Sequence, residues 1–278
     1  MFTLESVLQR TNIAEPDSIR VIDKARVPIV KFVDKLLGIA VDISFNSSSG
    51  MKSANVTLHY IRQFPQILPK LVVIIKQFLF QRDLNETFMG GLGSYTITLM
   101  VTSFLQLHPR RQATKSDANL GVLLLEFFEL YGRLFNHQRT GIQVHDGGKY
   151  FPKRSWYNRV TPDLLCIVDP TDYGNNVAKS SSNYLSVKLA FEHAYLILGR
   201  GVLGDDSFAQ KEETLLQQII SLDSEMVEQR DSTMTKWCKK NFVPGFHKSG
   251  PRSTRGTDSL PGPSSKSFIT RCQSKLNC

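Results

Sequence analysis

The alternation of apolar and polar residues near the start of the chain predicts two strands. Residues 19–33 and 39–45 are rich in β-branched and aromatic residues, and five residues that end in glycine, 34–38, suit a hairpin turn between them. Pro28 cannot donate a backbone hydrogen bond, so the first strand is expected to be interrupted or to lie at a sheet edge.

Helices are expected on either side of these strands. A short one is predicted over residues 3–10, with Thr3 as its N-cap. From about Gly50 the apolar residues recur at a spacing near 3.6. That spacing predicts helices over residues 53–62, 68–82, 93–107, 119–135, 185–198 and 208–228. Ser116 and Asp117 are suitable capping residues for the fourth of these.

The second strand carries the first indication of chemistry. One face holds Ile39, Val41, Ile43 and Phe45, and the other holds Ala40, Asp42, Ser44 and Asn46. A carboxylate in mid-strand is disfavoured, so Asp42 is either part of a functional site or an exposed residue on the wet face of an antiparallel sheet.

Lys76 lies in the middle of the apolar segment LVVIIKQFLF. A buried ammonium group costs several kcal/mol unless an anion meets it, which would indicate an anionic ligand. The alternative is a solvated lysine on the polar side of the helix, beside Gln77.

A glycine-rich segment, Gly90-Gly91-Leu92-Gly93-Ser94-Tyr95, leads into the next apolar helix. Backbone N–H groups and the Ser94 hydroxyl at a helix start suit a phosphate, and the Tyr95 ring offers a stacking surface. The alternative is a glycine-rich turn between helices that Ser94 caps.

Charge is distributed unevenly along the 278 residues, which carry 34 Lys and Arg against 25 Asp and Glu. Residues 231–278 have nine basic and two acidic residues, net +7, which leaves 25 minus 23, net +2, for residues 1–230. The last 48 residues are rich in Ser, Gly and Pro and are expected to be disordered.

The basic tail could hold an RNA backbone, or serve only as a solubilising or nuclear-targeting segment. Its cations are Lys236, Lys239, Lys240, Lys248, Arg252, Arg255, Lys266, Arg271 and Lys275, and its possible stacking residues are Trp237, Phe242 and Phe246.

Neither a membrane span nor a secretory signal is expected, since the richest apolar runs are short and are interrupted by Lys76 and Glu126. The four cysteines, Cys166, Cys238, Cys272 and Cys278, fit neither a disulfide framework nor paired zinc-ligand spacing. An intracellular soluble protein with free thiols is therefore expected.

Several segments, taken in order, resemble one family. These are VPIVKFVD, VDISFN, KQFLFQRDLNETFMGGLGSYT, FLQLHPR, NLGVLLLEFFELYGRLFN and DPTDYGNNVAKSS. Together they are similar to the Trf-type noncanonical poly(A) RNA polymerases of the DNA polymerase β nucleotidyltransferase superfamily, over about residues 3–200.

The resemblance implies an α+β fold, in which a remnant of a nucleotidyltransferase palm sheet precedes a mostly helical central domain and a disordered basic tail. The palm remnant would be residues 1–48, the central domain 49–230 and the tail 231–278. A segment resembling the poly(A)-polymerase-associated (PAP-associated) domain would lie at about 119–180.

The resemblance also assigns roles to residues. Asp42 would be the third carboxylate of a site that holds two Mg²⁺ (or Mn²⁺) ions. The nucleotide-binding positions would be Gly50, Lys76, Ser94, Tyr95, Asn175 and Lys179. Lys76 would neutralise triphosphate charge, Ser94 would bond a phosphate oxygen, and Tyr95 would stack on the base.

Two departures from the family pattern affect these roles. The usual GNDVGR reads GNNVAK here, and lysine at position 179 loses the planar fork of arginine. The family's Gly-Ser helix start and Asp-x-Asp pair are not in the chain, and Asp34 in the turn cannot substitute for them. One carboxylate cannot assemble a two-metal site, so a truncated chain that is inactive alone is expected.

The function implied by the resemblance is the template-independent addition of AMP from ATP to RNA 3′ ends, in RNA surveillance or processing in the nucleus. The implied partners are a zinc-knuckle RNA-binding protein and an RNA helicase of a TRAMP-like complex. The alternative is a non-catalytic scaffold that binds nucleotide or a partner. Preference for ATP over UTP is not determined by these motifs.

Overall fold

A computed structural model of the chain describes residues 1–24, 27–45, 48–155, 163–204, 214–221, 227–228, 231–233 and 235. The α-helices are α1 (Phe2–Thr11), α2 (Ser49–Gln63), α3 (Leu68–Phe80), α4 (Ser94–Gln106), α5 (Leu120–Glu129) and α6 (Tyr184–Val202). The strands are β1 (Arg20–Ile22), β2 (Ile29–Val33), β3 (Ala40–Ser44), β4 (Thr140–Gln143), β5 (Lys149–Pro152), β6 (Val168–Asp169) and β7 (Asp172–Asn176).

The first three strands form an antiparallel sheet in the order β1-β2-β3. The predicted faces are confirmed over β3 itself, because its residues alternate between exposed and partly buried along the strand. Ile39 was predicted on the packed face but lies before the strand and is 47% exposed, and Asn46 lies outside the described residues. The inner face packs on a small core that includes Leu8 from α1 and Val30 and Phe32 from β2. Pro28 falls in the break between β1 and β2, as predicted.

The turn between β2 and β3 is stabilised by Asp34. Its side-chain Oδ1 accepts hydrogen bonds from the backbone N–H groups of Leu36 and Leu37, at 3.0 and 2.7 Å. Gly38 closes the turn with a φ of 69°, which is strained for other residues. Asp34 is thereby fixed in the turn, as the sequence indicated.

Helices α2 to α6 surround a larger core with an aromatic centre. Phe78, Phe127, Phe128 and Phe191 are fully buried, and their ring centroids lie 5.0–6.0 Å apart in neighbouring pairs. Beyond α5 the chain continues as a π-helix over Leu130–Leu134. Gly132 in that segment lets α6 approach closely, because a Cβ there would lie 2.4 Å from the Glu192 backbone nitrogen.

Two small sheets that the apolar spacing did not predict complete this part of the fold. β4 pairs with β5 and β6 pairs with β7, each antiparallel, and Ile142 bridges to Ile167 to bring the two hairpins together. These strands are two to five residues long, too short for a periodicity argument.

Three helix-end predictions were wrong. The N-cap of α1 is Met1, not Thr3. The cap of α5 is Asn119, not Ser116 or Asp117, and its side chain accepts hydrogen bonds from the first-turn amides of Gly121 and Val122.

Of the helix predicted over 208–228, the structure describes 214–221, which holds a short 3₁₀ turn at Leu215–Gln218, and 227–228, which are helical. Residues 231–233 and 235, at the start of the tail predicted to be disordered, are helical. The rest of the tail, with its nine cations and with Trp237, Phe242 and Phe246, lies outside the described residues. So do Cys238, Cys272 and Cys278, whereas Cys166 is a free, buried thiol whose pKa burial raises to about 11.

In the part of the chain that the structure describes, none of the helices has the length and apolar character to cross a membrane.

Candidate functional site

Asp42 lies on the exposed face of β3, opposite Lys31 of β2. The Lys31 Nζ is 3.1 Å from Asp42 Oδ2, and their side chains are 47% and 54% exposed. Of the two interpretations offered by the sequence, this geometry is that of a carboxylate on the wet face of an antiparallel sheet. Any cation that binds Asp42 would have to compete with the lysine.

The glycine-rich loop before α4 is held tightly by the surrounding backbone. The N–H groups of Gly90, Gly91 and Leu92 donate to the carbonyls of Thr87, Glu86 and Leu84 respectively. The amides within the loop are therefore used internally. The N–H groups that could still meet a phosphate are those of the first turn of α4, which have no intrahelical partner.

Gly90 and Gly91 are required for this close packing. Gly90 has a φ of 82°, and a Cβ there would lie 2.4 Å from the Ser182 Oγ at the approach to α6. A Cβ on Gly91 would lie 2.4 Å from the Leu84 carbonyl oxygen. The loop thus positions the start of α4 against the start of α6.

Ser94 is the first residue of α4 and its side chain is exposed, but it does not cap the helix, whose N-cap is Gly93. The proposal that Ser94 caps the turn is therefore wrong. An exposed hydroxyl beside first-turn amides is instead available to an anion from solvent.

Tyr95 is partly buried against the large core, and its hydroxyl group is buried without a hydrogen-bond partner among the described residues. Burial raises the pKa of the Tyr95 phenol well above its usual range, and the negative charge of Asp169 raises it further. The Ser53 side chain opposes this shift. Tyr95 therefore carries a neutral phenol near a buried carboxylate.

Asp169, at the end of β6, is that carboxylate, and it is only 8% exposed. Its Oδ1 accepts from the Thr171 backbone N–H at 2.9 Å and from the Thr171 hydroxyl at 2.8 Å. Its Oδ2 accepts from the Asn175 Nδ2 at 3.0 Å, and the Asn175 Oδ1 in turn accepts from the Lys179 Nζ at 3.0 Å. A continuous chain of hydrogen bonds therefore joins Lys179 to the carboxylate beside Tyr95.

Asn176, where the usual family pattern has Asp, has a structural role in this hairpin. Its Oδ1 accepts from the amides of Ile167 and Ala178, and its Nδ2 donates to the Leu165 carbonyl at 2.9 Å. An aspartate could not make the last of these bonds. The departure at this position therefore has a local physical reason.

Gly50 and Lys76 lie on neighbouring helices. Gly50 is in the first turn of α2, and Ser53 follows it by three residues, about 4.5 Å along the axis of α2. Lys76 is exposed on α3, which packs against α4. Lys76 is therefore not a buried ammonium group, and its charge faces solvent.

Hydrogen bonds thus join Asn175 and Lys179 to Asp169, whose charge acts on the neighbouring Tyr95. No described hydrogen bond or ion pair connects Asp42 or Lys76 to that cluster. Sequence reasoning missed Asp169, although it is the acid that immediately precedes Pro170 in a quoted motif. An acid at the end of the apolar run LLCIVD was the signal available.

The residues present do not fit a two-metal centre by themselves. Over the described ranges no three His, Cys, Asp or Glu side chains come together as metal ligands. Asp42 is the one carboxylate that the resemblance assigned to metal, and Lys31 pairs with it. No step through a metal ion is therefore derived from these residues.

Sequence and structure comparisons identify relatives of this chain. Residues 119–175 match the profile of the Cid1 family poly A polymerases, and residues 1–62 match that of the central palm domain of mitochondrial-like poly(A) RNA polymerases. The chain is 43% identical to the poly(A) RNA polymerase cid14 of Schizosaccharomyces pombe over 256 residues, which is 88% of this chain and 37% of that protein.

A second relative is described as inactive. The chain is 38% identical over 211 residues to the inactive non-canonical poly(A) RNA polymerase protein Trf4-2 of Drosophila melanogaster, which covers 73% of this chain and 52% of that protein. The chain therefore spans about a third to a half of the length of these two curated relatives.

Solved structures agree with these matches. The polymerase core of TRAMP, described as an RNA surveillance complex, superposes with a TM-score of 0.70 at 37% identity, over 80% of this chain and 70% of that one. A Cid1 poly(U) polymerase structure superposes with a TM-score of 0.57 at 21% identity, over 71% of this chain and 72% of that one, which shows a shared fold.

Proposed function

Because this chain belongs to the Trf-type noncanonical poly(A) RNA polymerases, we propose that it takes part in the template-independent addition of AMP from ATP to RNA 3′ ends. The resemblance inferred from its motifs is thereby confirmed for the family. The substrates, partners and activity are proposals, since the chain spans only part of its curated relatives.

The hydrogen-bonded chain from Lys179 through Asn175 to Asp169 supports a nucleotide-binding role most directly. It combines an exposed ammonium group, an amide and a fixed carboxylate beside the partly buried Tyr95 ring. A nucleotide presents complementary groups, because its phosphates are anionic and its base has hydrogen-bonding edges and an aromatic face. We propose that Tyr95 stacks on the base.

The phosphates would lie toward the helix starts. Ser94 offers an exposed hydroxyl and α4 its first-turn amides, and Gly50 leaves space beside the first turn of α2. Lys76, exposed on the neighbouring α3, would neutralise triphosphate charge. Gly50, Lys76 and Ser94 are all exposed, so a nucleotide could reach each of them from solvent.

Divalent metal, Mg²⁺ or Mn²⁺, would supply charge neutralisation at the reacting phosphate in the proposed reaction. Asp42 is the proposed ligand from this chain. Since Asp42 is paired with Lys31 and the 278 residues contain no Asp-x-Asp, they do not complete the centre.

A test of nucleotide binding is a calorimetric titration with ATP. We expect Lys76→Ala to weaken ATP binding by about tenfold, since a charge-assisted contact would be lost. Lys70→Ala is the matched control, because Lys70 is also exposed on α3 but lies in its first turn. If ATP gives neither heat nor a thermal shift with a folded wild-type chain, the nucleotide role is wrong.

A second candidate function is a non-catalytic nucleotide- or partner-binding scaffold. Two observations favour it, namely the single carboxylate at the proposed metal position and the 38% identity to a relative described as inactive. Incubation of this chain with ATP, Mg²⁺ and a short RNA separates the two. Extension of the RNA would refute the scaffold, and ATP binding without extension would support it.

We also propose the cellular setting that the family implies, which is nuclear RNA surveillance with a zinc-knuckle RNA-binding protein and an RNA helicase in a TRAMP-like complex.

The proposed division of the chain into domains is a palm part at 1–48, a central domain at 49–230 and a basic tail at 231–278. Deletion of the tail tests its role, because unchanged RNA affinity and unchanged salt dependence would exclude it.

A further inference from the structure

A pocket opens where the π-helical segment after α5 meets the first turns of α6. Its volume is about 370 Å³. The side chains that line it include Arg133, Asn136, His137, Gln138, Leu185 and Lys188. None of these residues belongs to the proposed nucleotide site, so the pocket has no role in the function described so far.

The pocket is lined by cations and by no acid. Arg133 and Lys188 contribute positive charge from two different elements, and all the lining residues are neutral or basic. Two carboxylates outside the lining each pair with a lining residue: Glu192 is 3.8 Å from the Arg133 Nε, a long ion pair, and Asp163 accepts a 2.7 Å hydrogen bond from Gln138. The Lys188 side chain makes no hydrogen bond or ion pair with any residue that the structure describes.

His137 contributes an unpaired polar atom. The residue is 6% exposed, its ring packs edge-on against Tyr184 at 4.8 Å, and its Nδ1 is buried with no hydrogen-bond partner among the described residues. Burial, then the charges of Lys188 and Lys153, lower the pKa of His137, and Asp163 opposes them. Buried polar atoms in proteins are seldom left unsatisfied, so a missing partner needs an explanation.

We propose that this pocket binds a phosphate group, with Arg133, Lys188 and His137 as its ligands. A guanidinium, an ammonium and an imidazole approach one cavity, and a phosphate has several acceptor oxygens for donors from different directions. The phosphate would also supply an acceptor for the His137 ring. It could be free in solution or carried on an RNA strand, and only the RNA source depends on the proposed function.

The test is a calorimetric titration of the full chain with inorganic phosphate, at constant ionic strength set by KCl. Lys188→Ala is the chosen variant because Lys188 has no described structural partner. Arg200→Ala is its matched control, since Arg200 is exposed in the last turn of the same helix and does not line the pocket. We expect Lys188→Ala to weaken phosphate binding by about fivefold or more, and Arg200→Ala to leave it unchanged.

A parallel arm identifies the source of the phosphate. Binding of a short RNA that weakens in Lys188→Ala but not in Arg200→Ala, without measurable binding of free phosphate, would assign the pocket to an RNA strand. Both arms are repeated in a Lys76→Ala background, so that failure of the proposed nucleotide site does not affect the result. Absence of ATP binding by the folded wild-type chain, together with retained phosphate binding, would refute the proposed nucleotide site alone.

Histidine ring NMR gives an independent measurement. Phosphate should shift the His137 ring signals and raise its pKa, because an anion favours the protonated ring. The proposal is overturned if those signals do not move, if neither phosphate nor RNA binds, or if both lysine and arginine variants weaken binding equally. It is also overturned if a hexaglutamate peptide binds more tightly than phosphate or RNA, which would indicate an acidic protein partner.

Discussion

The Asn175 amide donates a 3.0 Å hydrogen bond to the Asp169 carboxylate, and this contact orients a buried acid beside the Tyr95 hydroxyl. The acid also accepts two bonds from Thr171, so its position is set by three donors. These three hydrogen bonds satisfy both oxygens of the buried side chain and fix its position near Tyr95.

Replacing Asp169 with Asn should lower the free energy of unfolding by about 1–3 kcal/mol. The new side-chain NH2 group would face a hydrogen-bond donor at a position where a carboxylate oxygen now accepts a hydrogen bond. Asp172→Asn is the control, since Asp172 is exposed and accepts one 3.1 Å bond from Gly174. Urea denaturation measures both variants. If the two variants lost equal stability, the three hydrogen bonds to Asp169 would not need a carboxylate acceptor.

Gly50→Ala should slightly stabilise the chain while weakening ATP binding. A Cβ at Gly50 would meet no atom within 4 Å, and alanine favours a helix over glycine by up to about 1 kcal/mol. The added methyl group would, however, crowd the proposed phosphate position. Thermal unfolding and ATP titration of one variant measure the two effects, and unchanged ATP affinity would remove Gly50 from the proposed site.

Gly132→Ala should destabilise the chain by about 1–3 kcal/mol, since its Cβ would lie 2.4 Å from the Glu192 backbone nitrogen and α6 would have to move. Gly199→Ala, within α6 itself, is the matched variant because its Cβ would meet nothing within 4 Å. Urea denaturation should give effects of opposite sign. Equal stability of the two variants would contradict the close approach of α6 to the π-helix.

The buried His137 should make stability depend on pH. Its pKa is lowered in the folded chain, so below the ordinary value of 6.5 the unfolded chain binds more protons. The free energy of unfolding should therefore fall as the pH falls from about 6.5 toward the lowered pKa. His137→Gln should reduce this slope in urea titrations between pH 7.5 and 5, and His193→Gln, on an exposed residue, should not.

Local patterns were sufficient for much of the fold. The alternation in β3 and the 3.6-residue spacing in α3 and α4 depend on neighbours in the sequence, and all three elements formed where they were predicted. The helix cap at Asn119 was missed because Ser116, Asp117 and Asn119 are all suitable capping residues, and residue type alone does not select among them.

The β4–β7 hairpins and the Asp169 cluster were not predictable in the same way. The bridge between Ile142 and Ile167 joins residues 25 positions apart, and strands this short leave no periodic signal. Asp169 gains its partners only when the hairpin folds back and brings Asn175 to it. Partners that are distant in sequence decide these contacts.

The sequence by itself determined the family, through several long motifs in order, and the helical and strand segments, through local periodicity. The tertiary structure decided which polar groups lose water and which keep it. Lys76, which the apolar run could have buried, is exposed, whereas Asp169 and His137 are buried. The physical reason is that burial and electrostatic environment depend on packing between elements, which is a property of the whole chain.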